Sequence, residues 1–224
     1  MTEDGRVRCP WAIDRPGETL YRVYHDTEWG RKLHGRDELF ERLALEAFQS
    51  GLSWLTILRK RERFRAAFDG FDVDVVARYG NEKIAELMAD AGIVRNRRKI
   101  EAVVSNARAV LDLDDSDLDT LLWSFAPARR ADRFDSVDRI PAVTAESTEM
   151  ARELKRRGFR FVGPTTAYAS CRPHGRRPHR GVLGSNGRLT YTAWARAGVR
   201  CPAGTAIGNN GGARIVDRDE ATTR

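Results

Sequence analysis

Leu45-Glu46-Ala47-Phe48-Gln49-Ser50-Gly51-Leu52-Ser53-Trp54 sets a carboxylate near the end of one apolar helix and an indole at the start of the next. Gly51 reads as the helix stop and Ser53 as the N-cap of the following helix. Leu43, Ala44, Leu45, Ala47 and Phe48 surround Glu46, which puts a carboxylate beside a core. A buried carboxylate needs a partner or a purpose. Trp54, just past the turn, is expected near the mouth of any pocket there. The plainer reading stands beside this one: many helices carry a Glu on their wet face and a Trp at a domain seam.

Working outward, the chain reads as mostly α. Residues 1–36 read as a loop-rich segment with four aromatics suited to stacking, Trp11, Tyr21, Tyr24 and Trp29. A helix is expected from about Asp37, with Leu39, Phe40, Leu43, Ala44, Ala47 and Phe48 at helical spacing. Ser53 opens the next, whose run Arg59-Lys60-Arg61-Glu62-Arg63 reads as solvated surface. Asp72 and Asn81 open two short helices. A long one is expected from about Arg95 to Leu111, and Asp117 to Phe125 reads as helical too. Pro127 to Val143 has no clear period and is expected as a surface loop. Thr144 or Ser147 starts a helix through Arg157 that Gly158 ends. No alternating strand pattern of useful length precedes residue 160.

Asp90 to Ile100 has the form helix, Gly turn, helix, which is the shape of a helix-hairpin-helix within about 81–111. Such a turn offers backbone N–H groups and a helix N-terminus to a phosphate. Gly92 marks the turn, and Arg95, Arg97, Arg98 and Lys99 stand beside it to neutralise phosphate charge. An ordinary helix turn with basic surface residues would look the same.

Charge and cysteines bound the partners. The net charge is +7, but residues 169–224 alone hold ten Arg against Asp217, Asp219 and Glu220. Residues 1–168 are balanced, so the globular part binds DNA through local clusters and not through global charge. Three widely spaced cysteines at 9, 171 and 201 argue against a disulfide framework and for a cytoplasmic chain. The opening Met1-Thr2-Glu3-Asp4-Gly5 has no apolar h-region, so no signal peptide is expected, and no run reaches the length of a membrane helix.

Leu45 to Trp54 resembles the signature of the 3-methyladenine DNA glycosylase I family, within the helix-hairpin-helix superfamily. Three further blocks carry the same resemblance. They are Cys9-Pro10-Trp11 with Tyr24-His25-Asp26-Thr27-Glu28-Trp29-Gly30, Asp90 to Ile100, and Arg157-Gly158-Phe159-Arg160-Phe161-Val162-Gly163-Pro164-Thr165-Thr166. They occur in the family's order from about residue 6 to about residue 168. The resemblance implies a helical glycosylase core over 37–168 and a loop-rich segment that brings the termini together. The implied reaction is hydrolysis of the N-glycosidic bond of 3-methyladenine in double-stranded DNA, the first step of base-excision repair.

The physical logic fits that reaction. A damaged base must leave the stack to be read. Methylation at N3 makes it cationic, so it is already a good leaving group and asks little general-acid chemistry of the protein. Aromatic rings hold a cationic ring by stacking and cation–π attraction. A carboxylate accepts from the exocyclic amine and favours the charged lesion. The resemblance places that carboxylate on Glu46 and the aromatics on Trp54, Tyr24, Trp11, Tyr21 and Trp29. It also implies that the aspartate other hairpin glycosylases use beyond the hairpin is absent, and here the nearest carboxylate, Glu101, reads as surface. Catalysis by selective binding of the cationic base and its transition state is the expectation. Core packing competes with base contact for each aromatic, most evenly for Tyr21 and Trp29.

The resemblance assigns Cys9 and His25 to a structural zinc, and a closed zinc site needs four ligands. The other two, a His-x-x-x-Cys after the Thr-Thr-x-Tyr helix, are absent from this sequence; by residue count they fall on Arg180 and Gly184. Substitutes from Cys171, His174, His179 or Cys201 match no defensible spacing. Two other classes compete with the enzyme reading. One is a DNA-binding protein of the same fold with impaired or no catalysis. The other is a zinc hydrolase, which lacks a His-Glu-x-x-His motif. A monomer is the default, with no membrane partner.

After Ala169 the chain loses Lys, gains Arg, Gly and Pro, and shows no apolar period, ending in stretches such as Gly208-Asn209-Asn210-Gly211-Gly212. Residues 185–224 are expected to be poorly ordered. A change of reading frame near Ala169 accounts for this divergent basic tail: Ala-Ser-Cys-Arg-Pro-His-Gly is what a GC-rich strand gives one base out of register from a helix carrying Phe-Met-Gln-Ala. A genuine divergent extension is the alternative. Resequencing the gene and translating the other frames is expected to reveal a His-x-x-x-Cys; its absence from every frame ends the idea.

Overall fold

The computed structural model describes residues 8–13, 19–113, 117–126 and 141–170. Residues beyond 170 and residues 127–140 of the expected surface loop lie outside these. Among the described residues every regular element is helical. A short 3-10 turn at Pro10–Ala12 precedes α1 (Leu20–Thr27), α2 (Arg36–Gln49), α3 (Trp54–Ala67), α4 (Val73–Ala77), α5 (Asn81–Ala89), α6 (Arg97–Leu111), α7 (Leu118–Ser124), α8 (Ala145–Arg156) and α9 (Pro164–Ser170). The N-terminal segment is thus less loop-rich than its sequence reads: Tyr21 and Tyr24 stand on α1, which packs on α3.

α2 sits at the centre. Leu39, Phe40 and every residue from Leu43 to Gln49 are buried, and the helix packs against α3, α4, α6, α7 and α9. From Leu43 onward no side of the helix is left to solvent, so neighbours surround this half, while Arg36 and Glu38 near its start stay exposed. Phe48 stacks into an aromatic cluster with Phe64 at 4.6 Å between ring centroids and Phe68 at 5.8 Å, and Phe68 lies parallel to Phe71 at 5.3 Å.

The expected caps form. The Ser53, Asp72 and Asp117 side chains each accept from a backbone N–H in the first turn of α3, α4 and α7. Thr144 and Ser147 make a reciprocal capping box at α8, so both expected starters act together. Gly51 ends the segment after α2 with φ +84°, a conformation that a Cβ would strain. α6 starts two residues later than Arg95, because Asn96 caps it through the Lys99 N–H at 3.2 Å.

The hairpin between α5 and α6 is braced by α3, and here the charge run departs from its reading as solvated surface. Lys60 Nζ donates to the carbonyls of Ala91 and Gly92 at 3.0 and 3.2 Å. Arg63 Nε donates to Asp90 at 3.0 Å, and Asp90 accepts from the Gly92 N–H at 2.7 Å. A Cβ on Gly92 would meet Arg63 Cγ at 2.2 Å, so glycine permits the approach.

Lys99 is 6% exposed, and its Nζ donates to the carbonyls of Phe48 at 2.9 Å and Ser50 at 2.6 Å. A cation at these last carbonyls satisfies acceptors that the helix leaves open and opposes the dipole. Replacing Lys99 with Met strands both carbonyls, at a cost of about 1–3 kcal/mol. The expected result is a fall in Tm of roughly 4–8 °C by thermal denaturation, with no change in the salt dependence of DNA binding. A reduced salt slope would return Lys99 to the phosphate-binding group.

Candidate active site

Three elements converge on Glu46. α2 carries it into the core at 7% exposure, α1 brings Tyr24 at 7%, and the first residue of α3 brings Trp54 at 2%. The turn at Gly51 and the cap at Ser53 return the chain so that the Trp54 and Tyr24 rings lie 5.5 Å apart between centroids. Trp54 is therefore a buried wall and not the rim residue that its place after the turn suggests. Its indole N–H is buried without a hydrogen-bond acceptor.

The other aromatics extend this wall. Trp11 lies 5.5 Å from Tyr21, 6.4 Å from Tyr24 and 5.4 Å from Trp29. Trp11, Tyr21 and Trp29 are partly buried against the core. The Tyr21 hydroxyl accepts from the Leu55 N–H at 3.1 Å, satisfying a first-turn donor of α3. Tyr21 thus holds α1 against α3 and stands one ring away from Tyr24.

Electrostatics single out the carboxylate. Burial pushes the Glu46 carboxyl up to about 7, against the opposing pull of Arg42. Burial likewise pushes the Tyr24 hydroxyl up to about 12, although Arg42 opposes it and Glu46 adds to it. A buried carboxyl poised near neutrality, close enough to Tyr24 and Arg42 to feel their charge, suits recognition of a cation. Sequence reading missed Arg42 and Glu28. Arg42 Nη1 donates to the Tyr24 hydroxyl at 2.9 Å, and Glu28 accepts from Arg61 at 2.8 and 2.7 Å. The signal for Arg42 was present: it lies four residues before Glu46, the spacing that puts two side chains on one helix face.

The nucleic-acid candidates separate into two groups. Arg95, Arg97 and Arg98 are exposed around the start of α6, whereas Lys99 is buried on α2 and the Gly92 N–H is taken by Asp90. α6 has no acid in its first turn but carries arginines there, the reverse of what the helix dipole favours. An anion at that end resolves the conflict. Glu101 pairs with Arg97 at 3.5 Å on the surface, as expected.

Cys9 and His25 are buried, at 0% and 2% exposure. His25 Nδ1 lies 3.0 Å from Asp26, which Arg8 grips at 2.6–3.0 Å. The Arg8 hydrogen bonds hold the Asp26 carboxyl well below the usual carboxylate range. Among the described residues no three His, Cys, Asp or Glu side chains group to hold a metal. Cys9 and His25 do not make a closed four-ligand zinc site on their own, and the sequence-expected partner region lies outside the described residues. A depression beside Asp69, Val75, Tyr79 and Lys83 offers no rival site, since the Tyr79 hydroxyl donates to Asp69 at 2.5 Å and Lys83 lies over the Tyr79 ring.

Comparison with known proteins bears on this arrangement. The sequence pattern of the Methyladenine glycosylase family matches residues 11–177. DNA-3-methyladenine glycosylase 1 of Escherichia coli (strain K12) is 41% identical over 165 residues, 72% of this chain and 87% of that protein. A crystal structure of 3-methyladenine DNA glycosylase I superposes with TM-score 0.69 at 41% identity, covering 73% of this chain and 90% of that one. A Tyr-to-Phe variant of such an enzyme in complex with 3-methyladenine superposes with TM-score 0.65 at 34% identity, covering 69% and 84% of the two chains. With a buried carboxylate, its flanking rings and the hairpin all in place, the chain belongs to the methyladenine glycosylase family.

Proposed function

We infer that this protein is a DNA repair glycosylase that takes 3-methyladenine out of the duplex and hydrolyses its N-glycosidic bond. The observation that carries the reading is the buried carboxyl of Glu46, within electrostatic reach of Tyr24 and Arg42, with Trp54 packed on the Tyr24 ring. The base already carries a positive charge, so departure needs no strong acid. Glu46 in its charged form complements that cation, and the rings of Tyr24 and Trp54 bind its faces. Trp11, Tyr21 and Trp29 support the rings from behind. The Trp54 N–H is a donor for an acceptor on the base or its sugar.

Arg95, Arg97 and Arg98 at the positive end of α6 bind the phosphates that flank the lesion. The protein acts as a monomer in the cytoplasm, and no described helix is long and apolar enough to cross a membrane. A structural zinc on Cys9 and His25 belongs to the reading only with two more ligands, and the proposed frame change removes those. The same incomplete donor set favours a second reading, in which the fold binds DNA but releases no base. Release of free base from methylated duplex DNA by the purified chain separates the two.

Glu46→Gln keeps the shape and removes the charge. It is expected to lower single-turnover excision about 100-fold while leaving the melting temperature near that of the parent. An unchanged rate removes Glu46 from its role. In the parent, excision is expected to fall as pH drops through about 7, because protonation neutralises Glu46; a flat profile across that range counts against it. Arg95→Ala and Arg98→Ala should each lower the slope of log affinity against log salt by about 1, measured by DNA-binding titrations. Slopes that stay at the parent value place the phosphate contacts elsewhere.

A further inference from the structure

Arg42 reaches both rings of the candidate base site, although sequence reading did not single it out. Its guanidinium carbon lies 5.7 Å from the Tyr24 ring centroid and 5.9 Å from the Trp54 ring centroid. Nη1 donates to the Tyr24 hydroxyl at 2.9 Å, and Nη2 lies 3.8 Å from a Glu28 carboxylate oxygen. Glu46 follows one helical turn later, at the spacing that places two side chains on one face.

This geometry fixes two states at once. Arg42 can only donate, so the Tyr24 oxygen serves as acceptor and the hydroxyl proton is left for another partner. The guanidinium also places a permanent positive charge beside a carboxyl in a low-dielectric site. Glu28 competes little for that charge, since Arg61 already engages both of its oxygens.

We propose that Arg42 is a positioning residue of the base site, which holds Glu46 in its charged form and leaves the Tyr24 hydroxyl proton free for the bound base. The proposal rests on the reading of Glu46 as the base-recognising carboxylate. The surroundings of Glu46 support it. Burial raises the Glu46 carboxyl, and Arg42 is the charge that opposes this. From α1, Tyr24 and Glu28 face the pair, and from α3, Arg61 is held by Glu28. From α6, Lys99 is committed to the Phe48 and Ser50 carbonyls. α9 carries no charged side chain. Asp74 of α4 and Asp119 of α7 are engaged by Arg36 and by His34 with Gly35, at the far end of α2.

The test is single-turnover excision of 3-methyladenine from methylated duplex DNA, from about pH 6 to about pH 9, with the parent, R42M, R42Q, R42K and E46Q. Removing the charge in R42M is expected to move the acid limb upward by about one pH unit or more, with most of the rate recovered at the alkaline end. R42Q keeps a donor for Tyr24 without the charge, so its limb must move too, and it decides the matter if R42M fails to fold. R42K retains the charge and is expected to keep the limb near that of the parent, with a several-fold lower plateau. Limbs that superpose on the parent in R42M or R42Q, or a loss that no pH restores, overturn the proposal. E46Q separates the two levels. If it loses both rate and limb, the reading of Glu46 stands whatever the Arg42 variants do. If it behaves as the parent, that reading falls and takes the role of Arg42 with it.

Discussion

A helical segment buried on every side can rest only in the middle of a fold, and the second half of α2, Leu43 to Gln49, imposes that constraint on everything else. Its neighbours pack where they do because Phe40, Leu43, Ala44, Leu45, Ala47 and Phe48 leave no face to solvent. Glu46 is carried inward by the same helix. A lone carboxylate at that depth costs several kcal/mol in the charged form. Here the cost is met partly by protonation near neutrality and partly by Arg42. The residue that stability would exclude is the one that the proposed function places against the cationic base.

The hairpin is not an independent appendage. Lys60 and Arg63 of α3 clasp its turn, and Lys99 reaches from the first turn of α6 to the last carbonyls around the end of α2. Lys99, which reads as a phosphate ligand in sequence, is spent on joining α6 to the helix that bears Glu46, and Lys60 and Arg63, which read as solvated surface, join the turn to α3. Among the basic candidates Arg95, Arg97 and Arg98 stay exposed around the start of α6. The buried Lys99 contacts thus fix the start of α6 against the end of α2 more firmly than exposed ion pairs do.

Much of the architecture was legible because local rules sufficed. Ser53, Asp72, Asn96, Asp117 and Thr144 sit where side chains accept first-turn N–H groups, and their helices start there. α1 was missed because its amphipathic stretch is only eight residues long and follows Pro16-Gly17, a pair that reads as a breaker in sequence. Glu46 and Trp54 could be picked out by contrast with their neighbours, yet the burial of Trp54 could not, since it depends on α1 folding across α3. Lys99 shows the general limit. A lysine in a basic run reads as solvated, and only tertiary structure reveals carbonyls within its reach. Arg42 escaped because its helix is read from its apolar period, which says nothing of the charged residue one turn from Glu46.

The buried indole N–H of Trp54 has a meaning beyond recognition. A donor removed from water and given no acceptor weakens the empty fold by about 1–3 kcal/mol. Phenylalanine would remove that defect but, being smaller, would leave a void at so buried a position. Under the proposed function the tryptophan marks a single atom at which robustness is exchanged for recognition. Whatever supplies the missing acceptor also tightens the fold around it, so occupancy and folding are coupled at this one nitrogen.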